Sequence, residues 1–212
     1  MSRPDDSEFG SRPLFGGTIS LDLPTDYIDA SDLRQIPDNQ EVFISSRTET
    51  SLVVEVLSMV EDGLASTDLW EALKFHFHSI AHDNASLNST ILTPNPTQPI
   101  PSFPSETFTT PSPITLTGTQ SIHKFSHDPS GAPRDGHEDD SPDTVWMAVA
   151  LWRCWHEGTE HGRRKKADLV LGINVNLSAE GGDEERKDVE EWWMKMVGSL
   201  RILDWGLFGD AS

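Results

Sequence analysis

Two carboxylates near the N-terminus, Asp38 and Glu41, are the side chains whose type and spacing best suit chemistry or recognition. A carboxylate pair can act as general acid and general base when an enclosed pocket raises the pKa of one member. However, Pro37 restricts its neighbour to extended backbone and Asp38-Asn39 favours a turn, which displays side chains to solvent. We therefore interpret Asp38, Asn39, Gln40 and Glu41 as a binding surface. In the alternative interpretation, Asp38 only caps the turn and Glu41 is only solvated.

Three histidines are candidates for metal ligands. His76 and His78 share one face of a predicted strand, and His82 follows with Asp83 beside it. Two strand-spaced imidazoles can chelate zinc, but a zinc site needs a third or fourth ligand in a fixed geometry. The pattern therefore favours histidines without metal. A small hydrolase or lyase that uses His76, His78 and a carboxylate stays open as an alternative function.

The remaining reactive, basic and aromatic groups favour structural interpretations. The single cysteine, Cys154, lies in an apolar run, which is typical of a buried and unreactive thiol. The basic residues 163–166 resemble a minimal nuclear localisation signal, although a solvated loop between strands is the simpler interpretation. Helical spacing places Trp192 and Trp193 in the core rather than in a binding patch.

Length and charge limit the class of protein. The chain has 212 residues and a formal net charge of −19, which suits one acidic domain. Excess negative charge repels nucleic acid and favours a basic protein partner. The N-terminus lacks the apolar region of a secretory signal, and no segment is apolar over the roughly 18 residues that span a bilayer. We expect an intracellular soluble protein that binds neither nucleic acid nor membrane.

Apolar periodicity predicts the elements that position these groups. Alternation of apolar and polar residues is typical of strands, whereas the spacing of apolar residues from Leu52 to Val60 is typical of an amphipathic helix. In the N-terminal half we predict strands at 14–23, 42–46 and 74–81, a helix at 50–61, a helical turn at 31–34 capped by Ser31 or Asp29, and helical turns at 68–72.

The middle of the chain has a different composition. Ten of the 14 prolines fall between residues 84 and 143, among many Ser, Thr and Asn residues. Such a stretch buries too little apolar surface to offset the entropy lost on ordering. We predict loose insertions near 85–112 and 126–142, separated by a strand at 114–125. A scaffold that uses the Pro/Ser/Thr-rich stretch as a phosphorylated docking segment is one candidate function.

Two strands and a helix are predicted in the C-terminal part. Residues 145–152 are apolar on both faces, as in a central strand covered on two sides, and residues 169–177 predict its neighbour. Helical spacing predicts a helix at 183–200 with acidic residues at its N-terminal dipole end. The expected fold class is α/β of the α+β kind, with a mostly antiparallel sheet of about six strands and helices on both faces. We expect one domain at 13–212 after a flexible N-terminus at 1–12.

Three segments near the N-terminus, at 14–20, 27–34 and 37–43, resemble the opening of the Mog-type Ran guanine nucleotide release factors, which are small nuclear import proteins. Weaker similarity continues at 68–78, 145–153 and 168–177 and in the last thirty residues. The chain resembles a fungal-type member with a Pro/Ser/Thr-rich insertion. The resemblance implies an α/β/α sandwich related to the PsbP proteins of photosystem II.

The same resemblance implies a function. The chain would bind the small GTPase Ran and promote guanine nucleotide release in support of nuclear import. It would act as a monomer, not as an enzyme, without cofactor or metal, in the nucleus and cytoplasm. In the family's Pro-Asp-x-Gln-Glu motif the Asp and Glu are implicated in Ran contact, and here they are Asp38 and Glu41. The expected Ran-binding surface comprises Asp38, Glu41, Gln40, Asn39, Arg34, Asp32 and Asp29.

Overall fold

Two antiparallel sheets and two helices make up the computed structural model, which describes residues 9–124, 126, 128–157 and 164–211. The strands are β1 (Phe9–Leu14), β2 (Ile19–Pro24), β3 (Tyr27–Asp29), β4 (Gln40–Ser45), β5 (Ser51–Ser58), β6 (Asn88–Ile91), β7 (Ile114–Ile122), β8 (Asp143–Glu157), β9 (Arg164–Asn176), β10 (Arg201–Ile202) and β11 (Asp210–Ala211). The helices are α1 (Leu69–Asp83) and α2 (Gly182–Ser199). Short 3-10 turns cover Phe15–Gly17, Ala30–Asp32, Gly63–Ser66 and Trp205–Leu207.

The main sheet runs in the order β3-β4-β5-β9-β8-β7-β6, with β11 pairing beside this path to β9. The hairpin of β8 and β9 forms its centre and is paired from Val145 and Asn176 to Glu157 and Arg164. Strands β1, β2 and β10 form a separate small sheet. Helix α1 packs on β7 and β8, whereas α2 contacts β2 and β9. The predicted antiparallel sheet with helices on both faces is confirmed.

Two apolar clusters fill the space on either face of the main sheet. Trp146 and Trp152 of β8 belong to the cluster that includes α2, whereas Met147 and Val149 belong to the cluster that includes α1. The alternation sends successive side chains to opposite faces, and both faces are covered. The prediction of a doubly apolar central strand at 145–152 is therefore confirmed.

The predicted helix at 50–61 is wrong, because this segment forms β5 between β4 and β9. The β-branched residues Val53, Val54 and Val56 favour a pleated strand. Leu52 and Val54 are fully buried on one face of the sheet. The same residues also match helical spacing, so the apolar pattern was ambiguous and the pairing with two neighbouring strands decided it.

The predicted strand at 74–81 is also wrong, because the residues continue the helix that begins at Leu69. The Phe-His-Phe-His alternation from Phe75 is accidental. Ala72, Leu73, His76 and Phe77 are buried, which is the spacing of one helical face. Asp68 caps the helix by accepting a hydrogen bond from the backbone N–H of Trp70 at 2.9 Å. The missed signal was a capping box, with Asp68 followed three residues later by Glu71.

The predicted strand at 14–23 is only partly correct. Its second half belongs to β2, whereas residues 15–18 form the turn of the hairpin that joins β1 to β2. Gly16 and Gly17 have φ values of 66° and 91°, which the chain needs in order to reverse between the two strands. The glycine pair is thus part of a hairpin turn. The hairpin also takes residues 9–12 of the predicted flexible N-terminus into β1, while residues 1–8 lie outside the described residues.

The Pro-rich stretch predicted as a loose insertion contains β6, which pairs with β7 at the edge of the main sheet. Farther along, the backbone N–H of Ser102 donates to the carbonyl of Thr67 at 2.8 Å. The Thr110 hydroxyl accepts from the backbone N–H of Ile202 at 2.9 Å. Few apolar side chains are needed for this arrangement, because hydrogen bonds to neighbouring segments hold the stretch. A deletion of residues 86–112 that is meant to test the docking-segment function would therefore also remove the edge strand β6.

Candidate partner-binding site

The seven candidate residues lie on, or directly beside, the connection between two paired strands at the edge of the main sheet. The connection leaves β3 after its last residue and enters β4 at its first residue. Antiparallel pairing brings the two ends of this connection together. The structure therefore places the predicted surface in one region: Asp29, Asp32, Arg34, Asp38, Asn39, Gln40 and Glu41.

The first half of the connection is a capped 3-10 turn. Asp29 accepts a hydrogen bond from the backbone N–H of Ser31 at 2.8 Å, and the N–H of Arg34 donates to the carbonyl of Ala30 at 3.0 Å. The predicted helical turn with Asp29 as its cap is confirmed, with a shift of one residue. Asp32 and Arg34 are exposed, whereas Asp29 is half-buried by its capping role.

The second half of the connection is a tight turn that presents Asp38. The N–H of Gln40 donates to the carbonyl of Pro37 at 2.9 Å and closes the turn. The carbonyl of Asn39 accepts from the N–H of Val56 on β5 at 2.9 Å. Two backbone hydrogen bonds therefore fix the base of the turn, and Asp38 at its tip is exposed. A charge presented in this way loses little conformational freedom when a partner binds.

The side chain of Gln40 is hydrogen-bonded to a residue that the sequence analysis did not single out. Its side-chain N–H donates to Glu55 on β5 at 2.5 Å. Burial raises the pKa of Glu55, and the hydrogen bond from Gln40 opposes that effect without reversing it. The two residues face each other in the register of β4 and β5. This pairing stiffens the start of β4 directly behind the turn.

Glu41 has a structural contact in addition to any contact with a partner. One of its carboxylate oxygens accepts a hydrogen bond from the backbone N–H of Phe15 at 2.5 Å. Phe15 has a φ of 49°, which is strained for a residue with a side chain, at the hairpin turn between β1 and β2. Glu41 is half-buried and stabilises that turn, so the alternative in which it is only solvated is wrong. Asp38 is the more exposed of the two carboxylates.

The histidine candidates do not converge on a metal site. His76 and His78 lie on α1 rather than on a strand, so their side chains leave the helix in nearly opposite directions. His76 is buried and His78 is exposed. Within the described ranges, no group of three or more His, Cys, Asp or Glu side chains has the arrangement of a metal site.

Sequence reasoning missed a buried ion cluster to which His76 belongs. Asp168 on β9 is fully buried and accepts hydrogen bonds from Arg153 at 2.9 and 3.0 Å and from His76 at 2.9 Å. Burial raises the pKa of Asp168, but the hydrogen bonds from His76 and Arg153 and the charge of Arg153 outweigh burial, so the pKa is below its usual value. Arg153 and Asp168 pair directly across β8 and β9. The sequence signal for this ion pair is the single charged residue, of opposite sign, inside each of two neighbouring apolar runs.

The basic residues at 163–166 are largely engaged within the chain, and Arg163 lies outside the described residues. Lys165 is buried and donates to the carbonyl of Phe208 at 2.6 Å. Lys166 forms an ion pair with Glu61 at 2.5 Å and lies over the ring of Trp155. In the folded chain these two lysines are therefore not presented as an extended basic signal.

Two further interpretations of side chains are confirmed. Cys154 is fully buried, and burial raises the pKa of its thiol, as expected of an unreactive cysteine. Trp192 and Trp193 are buried in the cluster beneath α2. Neither helix in the described part of the chain is long and apolar enough to cross a membrane.

The family comparison adds to this geometry. A model of the Mog1 family, described as Ran-interacting Mog1 protein, matches residues 12–176, which is more than half of the chain. The chain belongs to the Mog1 family. The Mog1 match extends from β1 to the end of β9, so it includes the whole connection between β3 and β4, while α2 follows it.

Relatives and a solved structure are similar over most of the chain. A Ran guanine nucleotide release factor of Danio rerio is 29% identical over 209 residues, which cover 94% of this chain and 100% of that protein. The nuclear import protein MOG1 of Saccharomyces cerevisiae is 27% identical over 214 residues, covering 92% and 83% of the two chains. The crystal structure of the Saccharomyces cerevisiae Ran-binding protein Mog1p aligns with a TM-score of 0.63 at 25% identity, covering 95% and 98%. The predicted Mog-type fold is confirmed.

Proposed function

We propose that this Mog1-family protein binds the small GTPase Ran, promotes release of guanine nucleotide from it and so supports nuclear protein import. Relatives that align over most of their length carry the names Ran guanine nucleotide release factor and nuclear import protein. The protein acts by binding, as a monomer without cofactor or metal, and not as an enzyme. Its work on Ran places it in both the nucleus and the cytoplasm.

The exposed position of Asp38 on a hydrogen-bonded turn is the observation that carries the proposed contact. The chain has a formal net charge of −19, so its field attracts a basic surface before contact is made. Asp32 on the same connection adds an exposed negative charge. We assign Asp38, Asn39 and Asp32 to direct contact with Ran, and Asp29, Arg34, Gln40 and Glu41 to the surface around them.

Nucleotide release follows from a difference in affinity. A protein that promotes release must bind the opened or nucleotide-free GTPase more tightly than the closed, nucleotide-bound form. Asp38 supplies such a difference if it pairs with a lysine or arginine of Ran that otherwise serves the nucleotide. Glu41 contributes mainly by holding the neighbouring hairpin turn through the N–H of Phe15.

The variant Asp38→Asn tests this assignment, because it removes one charge from an exposed side chain and nearly preserves its shape. We expect Ran affinity in isothermal titration calorimetry to fall about tenfold, a loss between that of an exposed ion pair and that of a fully buried one. The matched control is Asp139→Asn. Asp139 is also exposed, but it lies in the loop before β8, at the opposite end of the sheet. Equal affinity of Asp38→Asn and wild-type protein would contradict the assignment.

Replacing both carboxylates of the motif is a less specific test. Glu41→Ala leaves the N–H of Phe15 without its acceptor, so the double variant is expected to lose stability as well as affinity. The thermal midpoint of each variant, followed by circular dichroism, separates the two effects. The affinity of the wild-type protein for Ran should also weaken with added salt. Added ions shorten the Debye length, which is about 8 Å at physiological ionic strength, and so screen the attraction between the acidic surface and Ran.

A further inference from the structure

Two large apolar side chains project into solvent from ordered loops. Phe103 is 77% exposed and Leu64 is 72% exposed, the highest values among the large hydrophobic residues of the described chain. Single exposed apolar residues are common on protein surfaces. Here, both residues belong to segments that are tied down on either side, so their exposure is built into the fold.

The loop that carries Leu64 is fixed by the buried ion cluster. Asp168 accepts a hydrogen bond from the N–H of Val60 at 3.0 Å. Arg153 donates to the carbonyl of Ala65 at 2.7 Å and to that of Val60 at 3.3 Å. Charged groups that are 0% and 6% exposed thus hold both ends of residues 60–65, while Leu64 between them points outward. This gives the buried cluster a positioning role for the loop.

The segment that carries Phe103 is fixed by backbone hydrogen bonds on both sides and lies beside that loop. Ser102 donates its N–H to the carbonyl of Thr67 at 2.8 Å, and Ser105 donates its N–H to the carbonyl of Trp155 at 2.7 Å. Thr67 in turn donates its N–H to the carbonyl of Leu64 at 3.1 Å. The hydrogen bond between Ser102 and Thr67 therefore joins the segment of Phe103 directly to the end of the loop of Leu64.

Both segments lie at the end of the sheet where the turn of Asp38 is found. The carbonyl of Asn39 accepts from the N–H of Val56, and β5 ends two residues later at Ser58. That distance is roughly 7 Å along a strand, and the loop of Leu64 follows at once. Glu61 and Asp62, which precede Leu64 in this loop, are exposed. Two acidic residues thus follow the end of β5 along the chain, directly before the loop of Leu64.

We propose that Leu64 and Phe103 are apolar anchors of the same Ran-binding surface to which Asp38 belongs. This inference rests on the proposed function. The partner is basic by charge complementarity with Asp38 and Asp62, and it offers an apolar patch to the two anchors. Protein interfaces combine a few fully desolvated apolar anchors with a polar rim in this way. The buried cluster keeps the anchors in position before binding, which lowers the ordering cost of association.

The test compares Leu64→Ser and Phe103→Ser with a control, Met194→Ser, in titration calorimetry with purified Ran. Met194 is 60% exposed on α2, on the opposite face of the main sheet from α1 and the Leu64 loop, and its variant loses a similar apolar area. We expect each anchor variant to bind about tenfold more weakly and the control to bind within twofold of wild type. Leu64→Met should retain wild-type affinity, because it keeps the size and apolarity of the side chain.

Salt distinguishes the anchors from the acidic turn. The loss caused by Leu64→Ser should be equal at 0.1 and 0.5 M NaCl, whereas the loss caused by Asp38→Asn should shrink at the higher concentration. Wild-type protein that fails to bind Ran would overturn the proposed function and this inference with it. Wild-type binding with unchanged affinity in both anchor variants would overturn this inference alone. Because the mutated side chains are exposed, all variants should have the same thermal midpoint as wild-type protein.

Discussion

Replacing Asp168 by Asn should destabilise this protein strongly, because Asp168 is the only acidic side chain that pairs with Arg153 among the described residues. Asp168 is 0% exposed and Arg153 is 6% exposed, so water cannot compensate the arginine that is left behind. Removing one member of a buried ion pair costs about 3–5 kcal/mol. For a chain of this size that loss lowers the thermal midpoint by about 6–20 °C.

The assay is urea unfolding at pH 7 followed by far-UV circular dichroism. The matched control is Glu61→Gln, which breaks the ion pair with Lys166. Those two side chains are 58% and 24% exposed, so the control should lose no more than about 1 kcal/mol. A free energy of unfolding for Asp168→Asn within about 1 kcal/mol of wild type would refute the reasoning, because the cluster would then contribute no more than an exposed pair.

Three further predictions concern single groups. The lowered pKa of Asp168 stabilises the fold above its unfolded pKa of about 3.9, and this contribution is lost as the pH falls through the folded pKa. The difference between wild type and Asp168→Asn in urea unfolding should therefore narrow below about pH 4, and a constant difference would contradict this. Gly118→Ala places a methyl group 2.5 Å from the ring of Phe77 and should cost about 1–3 kcal/mol in the same assay, whereas Gly172→Ala, whose added Cβ meets nothing within 4 Å, should be nearly neutral. Cys154 should react with a thiol reagent such as dithionitrobenzoate only at the rate of unfolding, and rapid labelling of the native protein would contradict its burial.

The elements that sequence predicted well have a pattern that fits only one structure. The helix predicted at 183–200 corresponds to α2, because its apolar stripe and its acidic first turn agree with each other. By contrast, the apolar residues from Leu52 to Val60 fit a helix and a strand equally well. Their pairing with β4 and β9 depends on residues far away in the chain, which a local pattern does not show.

The candidate site shows the same division. The turn at Asp38 follows from Pro37 and the residues next to it, so local chemistry was sufficient to predict it. The contact between Glu41 and the N–H of Phe15 joins residues 26 positions apart. It exists only because the turn of the β1–β2 hairpin lies beside the start of β4. The role of Asp168 in fixing the loop of Leu64 likewise depends on strand register and on the course of α1.

The rate at which labelled guanine nucleotide leaves Ran tests the central claim most directly. Wild-type protein should accelerate this release, Asp139→Asn should accelerate it equally, and Asp38→Asn should require about tenfold more protein for the same rate. Acceleration by Asp38→Asn with the same concentration dependence as wild type would contradict the claim that this acidic turn binds Ran.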